Sequence, residues 1–281
     1  MDKEKIDLKE VSETLLIPLY ARSIESKKKK PRFVDKTAVK IADRLNYDFQ
    51  SKIHSKMNVN GCIARTVIFD REVKKFIAEN PFCTVVNMGA GLDDRFSRVD
   101  DGTVRWYNVD MENVIKVRDK YIRNNSREKN ISCSILDRAW IDEIEKKDNV
   151  LVVAEGLFMY FEEDEIRSIL KMILNSFKKC TMICELMSKW MVENQKIHET
   201  TKTMNVKFKW GIESSRDVEK LDPRFELYGD YDLTDEMKKL MPILITIVSP
   251  FMKGKNDRVA CFKKSDIHKI DLNSSFEMKN K

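Results

Sequence analysis

The segment VVNMGAGLDDR (Val85–Arg95) joins an apolar run to a short turn that contains two glycines. The apolar run is typical of a buried strand, and Gly89 and Gly91 let the backbone turn sharply and lie close against a ligand. Asp110 follows Gly91 by about nineteen residues and ends the next predicted strand. A carboxylate at that place can accept hydrogen bonds from both hydroxyls of a ribose. Together these features predict a site for an adenosine-type cofactor.

The sequence around this segment predicts an α/β fold. From residue 83 onward, short apolar runs alternate with amphipathic segments, as in a parallel sheet with crossover helices. We therefore predict a doubly wound, mostly parallel, Rossmann-like sheet. The apolar runs that we assign to its strands are Thr84–Asn87, Arg105–Val109, Ile131–Ile135, Val150–Ala154, Thr181–Leu186 and Arg258–Phe262.

No internal repeat and no long Gly-, Ser- or Pro-rich linker divides the 281 residues, which favours one domain with extensions. Residues 1–80 are predicted to form an N-terminal helical cap, and residues 81–262 to form the core. Within the core, a region at about 187–227 breaks the strand–helix rhythm, and we expect it to form a lid over the cofactor. Residues 263–281 are predicted to be a polar tail.

The charge, the apolar runs and the cysteines indicate which partners and which cell compartment to expect. The net charge is +6, but the only dense basic run is Lys27–Lys30, and acids alternate with bases elsewhere, so nucleic acid is not an expected partner. No apolar run is long enough to span a membrane, and the N-terminus lacks the apolar stretch of a signal peptide, so we expect a cytoplasmic protein. The six cysteines are scattered without a CxxC pair, which indicates reduced thiols and no metal site.

The residues after the glycine turn bear on which cofactor is bound. A dinucleotide-binding turn would have a third glycine at position 94, so that the following helix could receive a pyrophosphate. This chain has Asp93 and Asp94 there, and two carboxylates should repel a pyrophosphate. S-adenosyl-L-methionine is a sulfonium cofactor with an amino-acid tail and no phosphate, so the pair of aspartates favours it.

Three ordered blocks make the interpretation more specific: GAGLDDR with Arg98 following, WYNVD ending in Asp110, and AEGLFMYF (Ala154–Phe161). They resemble the signature blocks of the leucine carboxyl methyltransferase family, and in particular its bacterial, polyketide O-methyltransferase-like (tetracenomycin-type) branch. SETLLIPLYARSIES (Ser12–Ser26), PRFVDKTA (Pro31–Ala38) and ARTVIFD (Ala64–Asp70) resemble that branch too. The resemblance implies a seven-stranded class I methyltransferase that converts S-adenosyl-L-methionine to S-adenosyl-L-homocysteine.

The resemblance also implies roles for individual residues. Arg65 matches the arginine that holds the carboxylate of the cofactor's methionine moiety, and Asp137 matches the residue near the adenine amino group. Glu155 and Tyr160 match residues near the methionine moiety and the transfer site, and are our candidate catalytic residues. The candidate cofactor-binding residues are Arg65, Gly89, Gly91, Asp93, Asp110, Asp137 and Glu155.

The acceptor is less well defined by the sequence. Family members that methylate a protein C-terminus carry a basic residue where this chain has Leu15–Pro18, so we expect a small or medium apolar acceptor with a carboxylate or hydroxyl. A hydroxyl would need a general base, and Glu155 is the best candidate, because no histidine lies beside a recognised block. The residues Trp190, Met191, Met204, Phe208 and Trp210 of the lid either line the acceptor pocket or pack the lid.

Two other functions stay open on the sequence alone. The net positive charge and the run Lys27–Lys30 would suit an RNA methyltransferase, for which tight, salt-sensitive RNA binding is expected. A non-catalytic module that binds the cofactor is the third possibility. The presence of Arg65, Asp110, Glu155 and Tyr160 in one chain favours an enzyme. The oligomeric state and the identity of the acceptor do not follow from the sequence.

Overall fold

The computed structural model describes residues 13–53, 55–145, 148–197, 206–252 and 254–265. The helices in these residues are α1 (Leu16–Ser26), α2 (Lys36–Arg44), α3 (Phe49–Lys52), α4 (Lys56–Glu79), α5 (Arg95–Val99), α6 (Glu112–Tyr121), α7 (Ala139–Asp142), α8 (Glu163–Ser176), α9 (Lys189–Glu193), α10 (Asp217–Leu221), α11 (Leu233–Leu240) and α12 (Pro242–Met252). The strands are β1 (Thr84–Met88), β2 (Arg105–Asp110), β3 (Glu128–Ser132), β4 (Asn149–Ala154), β5 (Lys179–Leu186), β6 (Phe225–Asp232) and β7 (Arg258–Lys264). Short 3₁₀ turns lie at Glu13–Leu15, Phe158–Tyr160 and Gln195–Ile197.

The seven strands form one sheet in the order β3-β2-β1-β4-β5-β7-β6. Strands β1 to β5 are parallel, whereas β7 runs antiparallel to both β5 and β6. The strand order reverses between β1 and β4, and open α/β sheets bind ligands at such a point, outside the carboxyl ends of the strands. The predicted α/β class and the seven-stranded sheet are confirmed.

Two strands differ from the prediction. Strand β3 is Glu128–Ser132, not Ile131–Ile135, because this edge strand mixes buried and exposed residues instead of forming an apolar run. Strand β6, FELYGDYD, was not predicted; only Phe225 is buried, and the residues after it mostly alternate between exposed and partly buried positions. Since β6 begins at Phe225, the last three residues of the predicted lid belong to the sheet.

The first 80 residues contain α1 to α4, but α4 is not a separate cap. Its apolar face, including Ile68, Phe69 and Val73, packs in one cluster with Val85 of β1 and Trp106 of β2, and so covers one face of the sheet. At the other end of the chain, β7 extends to Lys264, two residues into the predicted tail. Residues 266–281 lie outside the described residues, as do His54, His198, Met204 and His268.

The structure also describes the state of the cysteines and the hydropathy of the helices. All six cysteines are free thiols, and four of them are buried. Within the described ranges, no helix is both long enough and apolar enough to cross a membrane.

Candidate cofactor and acceptor site

The glycine turn lies directly after β1, where the backbone needs residues without side chains. Gly89 and Gly91 have positive φ angles, 64° and 52°. A Cβ atom on Gly89 would lie 2.8 Å from Leu157 Cδ1, which is closer than packed carbon atoms approach. The positive φ angles therefore favour glycine at this turn, as the sequence predicted, and a side chain on Gly89 would also have to displace Leu157.

Asp110 is held beside this turn by two backbone hydrogen bonds. The Gly91 N–H donates to Asp110 Oδ2 at 2.8 Å, and the Met111 N–H donates to Oδ1 at 2.8 Å. Burial raises the pKa of the Asp110 carboxyl, and the two N–H groups oppose that shift. The carboxylate is thus fixed in place at the end of β2, where a ribose is expected to bind.

A cavity of about 320 Å³ opens beside the glycine turn at the carboxyl edge of the sheet. Six of the eight predicted site residues line it: Arg65, Gly89, Gly91, Asp93, Glu155 and Tyr160. Asp110 and Asp137 lie outside its lining. Asp137 is exposed, and its Oδ1 accepts a hydrogen bond from the Ala139 N–H at 3.0 Å, so its observed contact is with the start of α7.

Arg65 projects from α4 into this cavity and contacts two carboxylates. Its Nε donates to Glu155 Oε1 at 2.7 Å, and its Nη1 donates to Glu185 Oε1 and Oε2 at 2.8 and 2.7 Å. The two carboxylates raise the pKa of Arg65 well above its usual value, against the effect of burial. Arg65 is therefore a buried, permanently charged residue and not a surface arginine of a helix.

Glu185 is a site residue that the sequence analysis missed. It lies at the end of β5, is 1% exposed, and accepts a hydrogen bond from the Gly156 N–H at 2.6 Å in addition to its pair with Arg65. The sequence shows only a single glutamate in an otherwise apolar strand. A buried charge needs a partner, and that partner lies 120 positions away on α4.

Glu155 joins Arg65 to a second arginine, Arg95, whose Nη2 also donates to it. The charges of Arg95 and Arg65 hold the pKa of the Glu155 carboxyl below its ordinary value, although burial acts in the opposite direction. A carboxylate with a lowered pKa is a weak proton acceptor. The structure therefore argues against Glu155 as the general base and indicates that it positions Arg65.

Asp93 and Asp94 do not repel a pyrophosphate as free charges, contrary to the prediction from the sequence. Asp93 is not a free negative charge, because it pairs with Arg98 at 2.8 Å, Arg95 at 3.1 Å and Arg22 at 3.5 Å. These cations hold its pKa well below the ordinary value. Asp94 accepts a hydrogen bond from Thr37 Oγ1. The glycine turn is thus followed by a buried ion-pair network that occupies the place of a phosphate-binding helix start.

Tyr160 lies in the 3₁₀ turn after β4 and lines the cavity. Burial and the charge of Glu185 raise the pKa of its hydroxyl to about 12, so the phenol is neutral at physiological pH. Its ring lies 5.8 Å from the ring of Phe208, between centroids. Phe208 and Tyr160 pack with a small apolar cluster that also contains Met159 and Met187.

The segment from Val206 to Ile212 is held against the mouth of the cavity by backbone hydrogen bonds. The Lys209 N–H donates to the Met159 carbonyl at 2.8 Å, and the Ile212 N–H donates to the Met187 carbonyl at 2.9 Å. Met191 and Phe208 of the predicted lid line the cavity. Trp210 does not, because its side chain is buried in the main hydrophobic core, and Trp190 is partly exposed.

These residues fit S-adenosylmethionine. The turn at Gly89 and Gly91 leaves room for a ligand that lies against the backbone, Asp110 presents a fixed carboxylate, and Arg65 is a guanidinium at the cavity wall. None of these features requires a phosphate. Within the described ranges, no three His, Cys, Asp or Glu side chains are grouped so that they could hold a metal ion.

Comparison with solved structures supports the fold. A protein of the DUF574 family from Streptomyces avermitilis superimposes with a TM-score of 0.62 at 12% identity, over 92% of this chain and 99% of that chain. The crystal structure of a proposed methyltransferase from Thermobifida fusca gives a TM-score of 0.60 at 13% identity, over 92% of this chain and 96% of that chain. At these identities the likeness concerns the fold alone.

Sequence comparison identifies the family. The Streptomyces glaucescens tetracenomycin polyketide synthesis O-methyltransferase TcmP is 27% identical over 83% of this chain and 86% of its own length. The S-adenosyl-L-methionine-dependent methyltransferase dpfgK of Gibberella zeae is 26% identical over 78% of this chain and 81% of its own length. The profile of the leucine carboxyl methyltransferase family matches residues 15–174, which is more than half of the chain. The chain therefore belongs to the leucine carboxyl methyltransferase family and is an S-adenosylmethionine-dependent methyltransferase.

Proposed function

We propose that this enzyme methylates an oxygen atom, of a carboxylate or a hydroxyl, on a small or medium-sized apolar acceptor. The observation that supports this most directly is the apolar wall of the cavity, formed by Met159, Met187, Met191 and Phe208 beside the predicted cofactor site. Such a wall suits an apolar molecule that enters far enough to meet the cofactor. The relative TcmP, named as an O-methyltransferase, supports oxygen as the acceptor atom.

The position of each side chain supports the role that we propose for it. Asp110 would bind the ribose hydroxyls, the turn at Gly89 and Gly91 would lie under the cofactor, and Arg65 would bind the methionine carboxylate. The bound cofactor supplies an electrophilic methyl group on a positively charged sulfur. The apolar wall and the Val206–Ile212 segment would exclude water and hold the acceptor oxygen in line with that methyl group. Such positioning can contribute on the order of 7–11 kcal/mol to lowering the barrier.

Nucleic acid as the acceptor has less support. The run Lys27–Lys30 lies in an exposed turn between α1 and α2, and two of its lysines pair with acids, Lys27 with Asp43 at 2.5 Å and Lys28 with Glu25 at 2.5 Å. A track for RNA would need continuous basic residues interleaved with stacking aromatics.

The test is transfer of labelled methyl from S-adenosylmethionine to a panel of apolar carboxylic acids, phenols and alcohols, with total RNA as a further acceptor. We expect label in at least one small acceptor and none in RNA. Label in RNA that is lost when Lys27–Lys30 are replaced by glutamines would establish the RNA activity instead. Binding of S-adenosylhomocysteine without transfer to any acceptor would support a non-catalytic module.

A further inference from the structure

Asp257 is a carboxyl group in the cavity wall that none of the roles above uses. It directly precedes β7, which runs antiparallel to β5 with Arg258 opposite Leu186. Because of this reversal, the beginning of β7 lies at the carboxyl edge of the sheet, beside Glu185, and Asp257 lines the cavity. Its Oδ1 atom is buried and has no hydrogen-bond partner among the described residues.

The surroundings of Asp257 disfavour a negative charge. The charged groups that act on it are Glu185 on β5, Asp232 at the end of β6, and Arg65 on α4. The charge of Arg65, which is paired with Glu155 and Glu185, lowers the pKa of Asp257, but burial and the charge of Glu185 outweigh it. Burial, and then the charge of Glu185, raise the pKa of the Asp257 carboxyl to about 8. At neutral pH Asp257 is therefore mostly a neutral acid with an O–H group to donate.

We propose that Asp257 is an acceptor-binding residue, whose carboxyl group in the cavity wall donates a hydrogen bond to one oxygen of an acceptor carboxylate. This rests on the proposed O-methylation and selects the carboxylate over the hydroxyl. The second oxygen of the acceptor carboxylate attacks the methyl carbon, the O–CH₃ bond forms, and the S–CH₃ bond breaks with its electron pair remaining on sulfur. No proton moves in this step, so no general base is required.

The neutral Tyr160 hydroxyl lines the same cavity and could donate a second hydrogen bond, whereas Glu155 and Glu185 are already paired with Arg65. Asp257 could alternatively act as a general base for a hydroxyl acceptor, but only in its ionised form. The two roles predict opposite pH dependence. A donor loses its function as pH rises through about 8, whereas a base gains it.

The test uses the full chain saturated with S-adenosylhomocysteine and two probes of the same shape, 2-naphthoate and 2-naphthol, with affinities measured by calorimetry from pH 6.5 to 9.5. We expect 2-naphthoate to bind more tightly at neutral pH, and its affinity to fall about tenfold per pH unit above pH 8. Asp257→Asn keeps an N–H donor and should retain the affinity within several-fold without that pH dependence. Asp257→Ala should lose roughly 10- to 100-fold.

Asp230→Asn is the matched control, since Asp230 pairs with Arg258 outside the cavity and should leave both probes unaffected. Tighter binding of 2-naphthol, affinity for 2-naphthoate that is flat or rises with pH, or equal losses in the asparagine and alanine variants would each overturn the proposal.

Infrared spectroscopy provides an answer even if neither probe binds. Wild-type protein should show the band of a neutral carboxyl group that disappears as pH rises through about 8, and Asp257→Asn should lack that band. If the wild type lacks the band, or the variant keeps it, the proposal is wrong. The proposed function is tested separately: it fails if no oxygen acceptor of the panel receives labelled methyl. The infrared titration of Asp257 does not depend on that result.

Discussion

Arg65 and Glu185 are 120 positions apart in the sequence, yet Arg65 Nη1 donates to both carboxylate oxygens of Glu185, at 2.8 and 2.7 Å. The pair connects α4 to the end of β5 across the carboxyl edge of the sheet. It also orients the guanidinium at the cavity wall, so a bound carboxylate would meet an arginine that is already fixed in place. Preorganisation of this kind reduces the entropy that binding costs.

Arg65→Lys should weaken binding of S-adenosylhomocysteine by roughly tenfold or more, since one ammonium cannot contact Glu155, Glu185 and a ligand carboxylate as the planar guanidinium can. Calorimetry on the purified variant measures this. Arg71→Lys is the control, because Arg71 lies on the same helix, is 45% exposed and pairs with Glu72. Equal affinities of the Arg65 variant and the wild type would remove Arg65 from the cofactor site.

Asp110→Asn should weaken S-adenosylhomocysteine binding by about 10- to 100-fold, because one acceptor oxygen and the negative charge are lost from the predicted ribose contacts. Equilibrium dialysis with labelled cofactor would measure the change. Asp119→Asn, at an exposed position on α6, should bind as the wild type does. If the two variants bind equally well, Asp110 does not hold the ribose.

Glu185→Ala should lower the free energy of unfolding by about 3 kcal/mol, because it removes one partner of a buried ion pair and leaves the Gly156 N–H without its acceptor. Urea denaturation measures this difference. Glu226→Ala removes the partner of Lys263 in an exposed pair, and its effect should stay below about 0.5 kcal/mol. A loss of similar size in both variants would show that the Arg65–Glu185 pair has no special structural role.

The pKa of Asp257 predicts how stability depends on pH. Because the folded-state pKa of about 8 exceeds the unfolded value of about 4, the folded state binds the proton more tightly. The stabilisation from this proton is complete below pH 4 and is lost progressively as pH rises to about 8. Relative to the wild type, Asp257→Asn should therefore gain stability across that range. A constant difference in unfolding free energy from pH 4 to pH 8 would contradict the raised pKa.

Phe208 and Trp210 should respond differently to substitution. Phe208 lines the cavity, so Phe208→Leu should weaken binding of an apolar acceptor such as 2-naphthoate several-fold and leave S-adenosylhomocysteine affinity unchanged. Trp210 packs in the hydrophobic core with Ile212 and Phe225, so Trp210→Ala should lower the free energy of unfolding by roughly 3–5 kcal/mol. Weaker cofactor binding in the Phe208 variant would show that Phe208 does not act on the acceptor alone.

The features that depend on neighbours along the chain could be predicted from residue order. The glycine turn after β1 and the acid that ends β2 are local patterns, because the positive φ angles and the strand ends are set within a few residues. The central strands were identified for a similar reason, since strands buried on both faces are continuous apolar runs. Strand β6 was not predicted, because apolar and polar residues alternate along an edge strand that has one covered face.

Which charged side chains meet depends on how the strands and helices pack. Glu185 and Asp257 are inconspicuous in the sequence, and they come together because β7 runs antiparallel to β5. Tertiary structure likewise pairs Asp93 with three arginines and Glu155 with two, and so turns residues expected to repel a ligand or accept a proton into parts of an ion-pair network. The physical reason is that the pKa of a buried side chain depends on the groups that surround it in space, and residue order does not specify those groups.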